Sequence, residues 1–86
     1  MYVTPKYNYF DIKSKAQEVS LSCFTDDHKD ITSQCEFKLH NVNPDITISN
    51  NSIKIGKKPV KSTNKIIVLY EKSGVIEQDF AMAYIE

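Results

Sequence analysis

Two cysteines and two histidines are the residues with the most obvious capacity for chemistry. Cys23, His28, Cys35 and His40 follow one another in a series typical of a zinc site, and zinc needs four donors that converge in a tetrahedron at about 2.0–2.3 Å. The alternating sequence around them opposes convergence, because both cysteines share the apolar parity of their segments. His40 has the opposite parity, and His28 follows two aspartates in a polar loop. We therefore expect core thiols and exposed histidines, with no metal and no cofactor.

Other catalytic patterns are equally weak. A Cys–His nucleophile pair meets the same objection of parity, and no third group is placed to orient a base. Gly56 and Gly74 are the only glycines, so there is no glycine-rich phosphate loop. The cluster Asp26, Asp27 and Asp30 offers oxygen ligands for calcium, but it lacks the regular spacing and distal glutamate of a dedicated loop, so a solvated turn is favoured. The sequence predicts a protein that is not an enzyme.

Composition narrows the class of protein further. The chain has 86 residues and a net charge of zero, which predicts one domain with a thin core. All 11 basic residues are lysine, and the lack of arginine argues against specific nucleic-acid recognition. No apolar run approaches the length that spans a membrane, and no secretory signal is visible. Without a signal the reduced state of the cysteines is favoured, although one bridge is the alternative.

The elements that must position these residues are short strands. Alternation of apolar and polar residues is regular in several segments, and no window shows a capped helical period, so no long helix is expected. Polar turns rich in asparagine, aspartate, proline or glycine separate the segments. The pattern predicts an all-β fold, a small immunoglobulin-like (Ig-like) β-sandwich of about six to eight short strands. The predicted strands cover residues 9–12, 16–25, 32–42, 46–48, 53–55, 64–71 and 75–85.

The order of these features over residues 16–85 resembles the bacterial Ig-like domains of group 2, the Big-type modules. Phe37 stands where such domains commonly have tryptophan, Asn51-Ser52 replaces their usual Asn-Gly, and Val60-Lys61-Ser62 lacks a second corner glycine. The residues that carry the resemblance are Val19-Ser20-Leu21, Asp30-Ile31-Thr32, Phe37, Asn43-Pro44-Asp45-Ile46, Ile48-Ser49-Asn50, the run from Ile53 to Lys58 and the run from Lys65 to Tyr70.

The resemblance implies a non-catalytic role, since Big-type modules occur in bacterial surface adhesins and on the capsids and tails of tailed phages. The format of a single module without a secretion signal favours the second setting. We therefore expect an auxiliary capsid protein that decorates and stabilises the assembled shell, made in the host cytoplasm and located in the virion. Its partners would be the major capsid protein or other virion subunits, in multiple copies. Alternatives are a cell-surface adhesion module and a small phage inhibitor of a host protein.

Two surface features are candidates for partner binding. Residues 46–70 contain five lysines and no acidic residue, and a basic corner of this kind can steer docking or simply protect a sheet edge. Residues 1–10 are rich in aromatics, which are enriched at interfaces, and we expect them to form an N-terminal arm or first strand beside an Ig-like domain at residues 11–86. The candidate partner-binding residues are Tyr2, Tyr7, Tyr9, Phe10, Lys54, Lys57, Lys58 and Lys61.

Overall fold

The computed structural model describes residues 1–13 and 15–86, and this part of the chain is almost entirely β-structure. The only helical element described is a single 3₁₀ turn, η1, at Thr32–Gln34. The strands are β1 (Tyr2–Thr4), β2 (Tyr7–Phe10), β3 (Gln17–Ser20), β4 (Ser22–Phe24), β5 (Cys35–Leu39), β6 (Ile46–Ser49), β7 (Ser52–Ile55), β8 (Ser62–Lys72) and β9 (Val75–Ile85).

The strands are arranged in sheets of four, three and two strands. The four-stranded sheet has the order β2-β9-β8-β5, and its β2–β9 pair is parallel while the others are antiparallel. The three-stranded sheet has the order β3-β7-β6, and β1 pairs with β4. Because only Leu21 separates β3 from β4, the two smaller sheets continue into one another along the chain. The arrangement is sandwich-like.

One apolar core joins the sheets. The four-stranded sheet contributes Ile66, Val68 and Tyr70 from β8 and Ala81, Ala83 and Ile85 from β9, all buried. The smaller sheets contribute Leu21, Cys23, Ile53 and Ile55 among others. Each set recurs at every second residue, as expected for strands with one buried face. The alternation predicted for residues 64–71 is therefore confirmed, and the inner face of β9, which the sequence left unassigned, is that of Ala81, Ala83 and Ile85.

Local side-chain bonds explain where the predicted strands stop short. The strand predicted from residue 32 begins at Cys35, because Asp30 Oδ1 accepts hydrogen bonds from the Thr32 N–H (2.9 Å) and hydroxyl (2.6 Å) and the chain turns through η1. The strand predicted over residues 16–25 is divided at Leu21. There the Leu21 N–H donates to the Asn51 carbonyl, and the Asn51 side chain donates to the Leu21 carbonyl, both at 2.8 Å.

The strands formed by the N-terminal residues differ in position from the predicted first strand. The strand expected at residues 9–12 is β2 at Tyr7–Phe10, and a further strand, β1, precedes it. β1 pairs with β4, whereas β2 pairs with β9, so the first ten residues contribute to two sheets. Over residues 1–13 and 15–86, no helix is long and apolar enough to cross a membrane.

Candidate protein-binding face

The cysteines and histidines occupy separate environments. Cys23 is fully buried and Cys35 is half-buried, and both are free thiols. His28 lies in the β4–η1 loop, where its Nδ1 is hydrogen-bonded to the Tyr2 hydroxyl at 2.7 Å. His40 is exposed and follows β5 directly. Among the described residues, no three histidine, cysteine, aspartate or glutamate side chains group closely enough to hold a metal ion.

Burial holds both thiols in the protonated form. It raises the pKa of Cys23 to about 12, with a further contribution from the neighbouring Cys35 thiol. Burial also raises the pKa of Cys35, against the opposing effect of its hydrogen bond with Cys23. A nucleophilic cysteine needs a lowered pKa. These thiols therefore have the properties of core residues.

The three aspartates of the β4–η1 loop serve the turn itself. Asp26 Oδ1 pairs with the N-terminal amine of Met1 at 2.8 Å. The Thr25 hydroxyl donates to Asp27, and this bond lowers the pKa of the Asp27 carboxyl. The hydroxyl and N–H of Thr32 lower the pKa of Asp30 in the same way. Asp27 and Asp30 thus accept hydrogen bonds within the turn, and Asp26 accepts one from the N-terminus, so each carboxylate already has a donor within the chain.

The four candidate lysines are all exposed, but they do not form one patch. Lys57, Lys58 and Lys61 lie in the connection between β7 and β8. Lys54 lies on the outward side of β7, where it faces Glu18 across the β3–β7 pair. None of the four takes part in an ion pair within the described chain. Their role in binding stays a prediction.

The four candidate aromatics divide between three places. Tyr2 stacks on Phe24 at 5.4 Å between ring centroids, and Phe10 is 5% exposed in the core. Tyr7 and Tyr9 point outward from β2, with 55% and 66% of their surface exposed. Residues 2–4 and 7–10 are paired with their own chain, and docking of this segment on a neighbouring subunit stays a prediction.

Tyr7 and Tyr9 belong to a larger apolar surface, which we call the outer face. It consists of the side chains of the four-stranded sheet that alternate with the buried ones. In register, Tyr7 lies beside Met82 and Tyr9 beside Tyr84, and Phe80 faces Ile67 across β8–β9. Tyr9 and Tyr84 stack with ring centroids 5.1 Å apart. The apolar members of the outer face are Tyr7, Tyr9, Ile67, Leu69, Ile76, Phe80, Met82 and Tyr84.

Two lysines border the outer face at Phe80. Lys6 Nζ lies 3.9 Å from the centroid of the Phe80 ring, and Lys65 Nζ lies 4.8 Å from it. Lys6 also donates to Asp79 Oδ1 and to the Phe80 carbonyl, each at 3.1 Å. Both ammonium groups are thus attracted by the ring, and that of Lys6 is also held by fixed acceptors. The result is an aromatic surface with a cationic margin.

The sequence contained a sign of this face. Apolar residues occur at both parities of 64–71 and 75–85, which is unusual for strands with one solvated side. Ile67 and Leu69 were therefore recognisable as a second apolar row. Their alignment with Tyr9 and Tyr84 was not, because it depends on the parallel pairing of β2 with β9.

A buried polar network was also missed. Asn64 is fully buried, and its Oδ1 accepts from the side-chain amides of Asn41 (2.8 Å) and Asn43 (2.9 Å). Its Nδ2 donates to Ser62 Oγ (2.9 Å) and to the Ala83 carbonyl (3.2 Å). The network attaches the β5–β6 loop to the four-stranded sheet. It is structural, since every amide atom of Asn64 is occupied within the chain.

The comparisons with known proteins add no family to this description. Models of protein families, curated proteins and solved structures all give no match to this chain.

Proposed function

We propose that the chain is a non-catalytic, protein-binding module with an Ig-like sandwich, and that it serves as an auxiliary capsid protein of a tailed bacteriophage. The outer face is the surface that docks on the shell. The observation that carries the proposal is the row of aromatic and aliphatic side chains on the solvent side of the four-stranded sheet.

Strand order supports the Ig-like part of the proposal. Constant-type Ig domains place strands A, B, E and D in one sheet and C, F and G in the other. Assigning β1 to A, β3 and β4 to B, β7 to E and β6 to D reproduces the first sheet. Assigning β5, β8 and β9 to C, F and G reproduces the second, with β2 added beside β9.

The composition of the outer face supports protein binding. Tyrosine, phenylalanine and methionine are enriched in protein interfaces, and tyrosine combines a large apolar area with a polar hydroxyl. A contiguous apolar surface with a polar margin is typical of an interaction site. Strands also hold side chains more rigidly than loops do, so a partner would lose less entropy on binding.

The virion setting is supported by the Big-type resemblance, since modules of that family occur on phage capsids and tails. A shell protein binds many equivalent sites, and one flat face per copy suits that geometry. The exposed lysines of the β7–β8 connection would contact acidic residues at the margin of the docked face, where they would increase the association rate more than the affinity.

Co-sedimentation with capsids of the virus that encodes the chain tests the proposal. The wild-type protein should pellet with capsids and saturate at a fixed number of copies per particle. Tyr9→Ser combined with Tyr84→Ser should reduce capsid affinity by about tenfold or more, since interface aromatics carry much of the binding energy. Val42→Ser is the matched control, because Val42 is 99% exposed and lies in the β5–β6 loop, outside both the outer face and the β7–β8 connection.

Three outcomes would count against this assignment. A wild-type protein that stays in the supernatant at all capsid concentrations would overturn the capsid role. Equal loss of binding in the Val42 and tyrosine variants would remove the outer face from the proposal. Selective capture of one host enzyme, with no capsid binding, would favour the inhibitor alternative instead. Circular dichroism of each variant separates loss of binding from loss of folding.

A further inference from the structure

Among the residues that the structure describes, strand β5 is an edge of the four-stranded sheet and pairs only with β8. Its sequence from Cys35 to Leu39 alternates, with Cys35, Phe37 and Leu39 half-buried on the inner side and Glu36 and Lys38 exposed on the outer side. A hollow of about 500 Å³, lined in part by Cys35, Phe37 and Asn51, opens beside it. The edge is therefore accessible from this side.

The backbone of β5 presents hydrogen-bonding groups at this edge. The His40 N–H donates to the Lys65 carbonyl on β8 at 2.8 Å. Hydrogen-bonded pairs alternate along an antiparallel ladder, so Lys38 and Glu36 make the remaining bonds to β8. The N–H and carbonyl groups of Phe37 and Leu39 then point away from β8. Such an edge is a template for another strand.

We propose that β5 pairs antiparallel with β5 of a second copy of this chain, about a two-fold axis at Phe37. Each Phe37 N–H then donates to the Phe37 carbonyl of the other copy. Each Leu39 N–H donates to the carbonyl of Cys35 in the other copy, while the Cys35 N–H keeps its bond to the Thr32 carbonyl. The groups that pair are those that point away from β8.

Charge fixes the register of this pairing. With the axis at Phe37, Glu36 of each copy lies opposite Lys38 of the other. An axis at Glu36 would place two glutamates opposite each other, and an axis at Lys38 would place two lysines opposite each other, which destabilises a sheet. Within one chain Glu36 and Lys38 already approach to 3.2 Å. The same two side chains therefore make the strand complementary to itself.

Pairing would also extend the outer face. The two four-stranded sheets become one continuous sheet, in which the outer faces of both copies lie on the same side. Two docking faces on one rigid body bind a repetitive surface with higher avidity than one. The dimer is formed by the edge of β5, which borders the outer face but does not use its aromatic residues, so dimer formation and capsid binding can fail independently of each other.

Sedimentation velocity over a concentration series tests the dimer, with charge variants of β5. Glu36→Lys leaves two lysines on the strand and Lys38→Glu leaves two glutamates, so each variant alone should associate about tenfold or more weakly than wild type. An equimolar mixture of the two should form a heterodimer, because every 36–38 contact is then between opposite charges. The double variant carrying both changes should regain the wild-type dimer.

The sedimentation results can either support or overturn the proposed dimer. A wild-type chain that stays monomeric up to millimolar concentration overturns it. A dimer that persists unchanged in Glu36→Lys and Lys38→Glu, or a mixture that does not associate, shows that another surface is used. Thermal melts of the single variants confirm that they remain folded, since residues 36 and 38 are exposed. If the mixture of the two variants associates, the weak self-association of each variant cannot be due to misfolding.

Discussion

The rings of Tyr9 and Tyr84 stack with centroids 5.1 Å apart and planes inclined by 19°. The contact joins β2 to β9 on the outer face, where the two residues are directly opposite in the parallel register. It gives the outer face a rigid aromatic pair in the absence of a partner. An interface built on such a pair needs little reorganisation when it docks.

The stack should contribute measurably to stability. We expect a coupling free energy between Tyr9 and Tyr84 of about 0.5–1 kcal/mol, in the lower part of the range for aromatic pairs because Tyr9 is 66% exposed. Urea unfolding of Tyr9→Ala, Tyr84→Ala and the double variant measures it as a double-mutant cycle. A cycle between Tyr9 and Val75 is the control and should be additive. Additivity in both cycles would contradict an energetic role for the stack.

Asn64 should be among the most sensitive polar positions. Asn64→Ala removes the side-chain acceptor of the Asn41 and Asn43 amides and the side-chain donor to the Ala83 carbonyl, so the free energy of unfolding should fall by about 2–3 kcal/mol, although Asn43 keeps its bond to Ser62. Chemical denaturation measures this loss. A change below about 0.5 kcal/mol would mean that water replaces the side chain without cost.

Asn64→Asp provides a matched test of the same network. The aspartate keeps an acceptor for the Asn41 and Asn43 amides but loses both donors, and an ionised oxygen would then face the Ala83 carbonyl. When protonated, the carboxyl can donate to that carbonyl. The variant should therefore lose stability relative to wild type as pH rises and its carboxyl ionises. A pH-independent difference would contradict this geometry.

The β8 and β9 strands were predictable from sequence because both are long and the turn between them has glycine. The row Ile66, Val68 and Tyr70 of β8 was recognisable as one apolar face, although Ile67 and Leu69 formed a second apolar row, so local alternation did not show which one is buried. The Ser73-Gly74 turn has positive φ at both residues, as hairpins require. These features depend on neighbours in sequence, and sequence patterns report such neighbours well.

The strand pairing of the first ten residues and the burial of Asn64 could not be predicted from local sequence patterns. β2 is bonded to β9 more than seventy positions away, and no local period encodes that partner. Asn64 looked like a polar residue at the start of a strand. Its burial depends on Asn41 and Asn43, which reach it from the β5–β6 loop. Long-range pairing and side-chain networks are properties of the assembled fold, and the outer face depends on the first of them.

Cys23 should make stability fall at alkaline pH. Its pKa is about 12 in the folded chain and about 8.5 in the unfolded chain. Below about pH 8.5 the thiol is protonated in both states and has no pH-dependent effect. Above that pH unfolding releases its proton, so the free energy of unfolding should decrease by about 1.4 kcal/mol per pH unit from this group.

The measurement compares the pH dependence of wild type and Cys23→Ala from pH 7 to 10 in a reducing buffer. Their difference removes the contributions of lysine and tyrosine titration. The alanine variant starts less stable, but its curve should be flatter above pH 8.5. Ile66→Val is the control, because it shortens a buried side chain without removing a titratable group and should retain the wild-type slope. Parallel curves for wild type and Cys23→Ala would contradict the raised pKa.

The two glycines should respond oppositely to alanine. Gly74 has φ of +78° in the β8–β9 turn, a conformation that costs an L-residue about 1 kcal/mol. At Gly56 a new Cβ would lie 3.7 Å from the Asp45 carbonyl oxygen, which is ordinary contact. Gly74→Ala should therefore lower the free energy of unfolding by about 1 kcal/mol. Gly56→Ala should leave it unchanged or raise it by up to about 0.5 kcal/mol, since alanine restricts the unfolded chain.

Thermal and urea unfolding of the two variants measure these effects side by side. Apart from residues 73–75 themselves, no described atom lies within 4 Å of the Cβ that would be added at Gly74, so a loss of stability there comes from the backbone and not from a clash with the rest of the fold. Asparagine tolerates positive φ better than alanine does, so the Gly74→Asn variant should be more stable than Gly74→Ala and less stable than wild type. Equal stability of Gly74→Ala and Gly56→Ala would contradict the positive φ at Gly74. It would also argue against the tight turn that sets the alignment of β8 with β9.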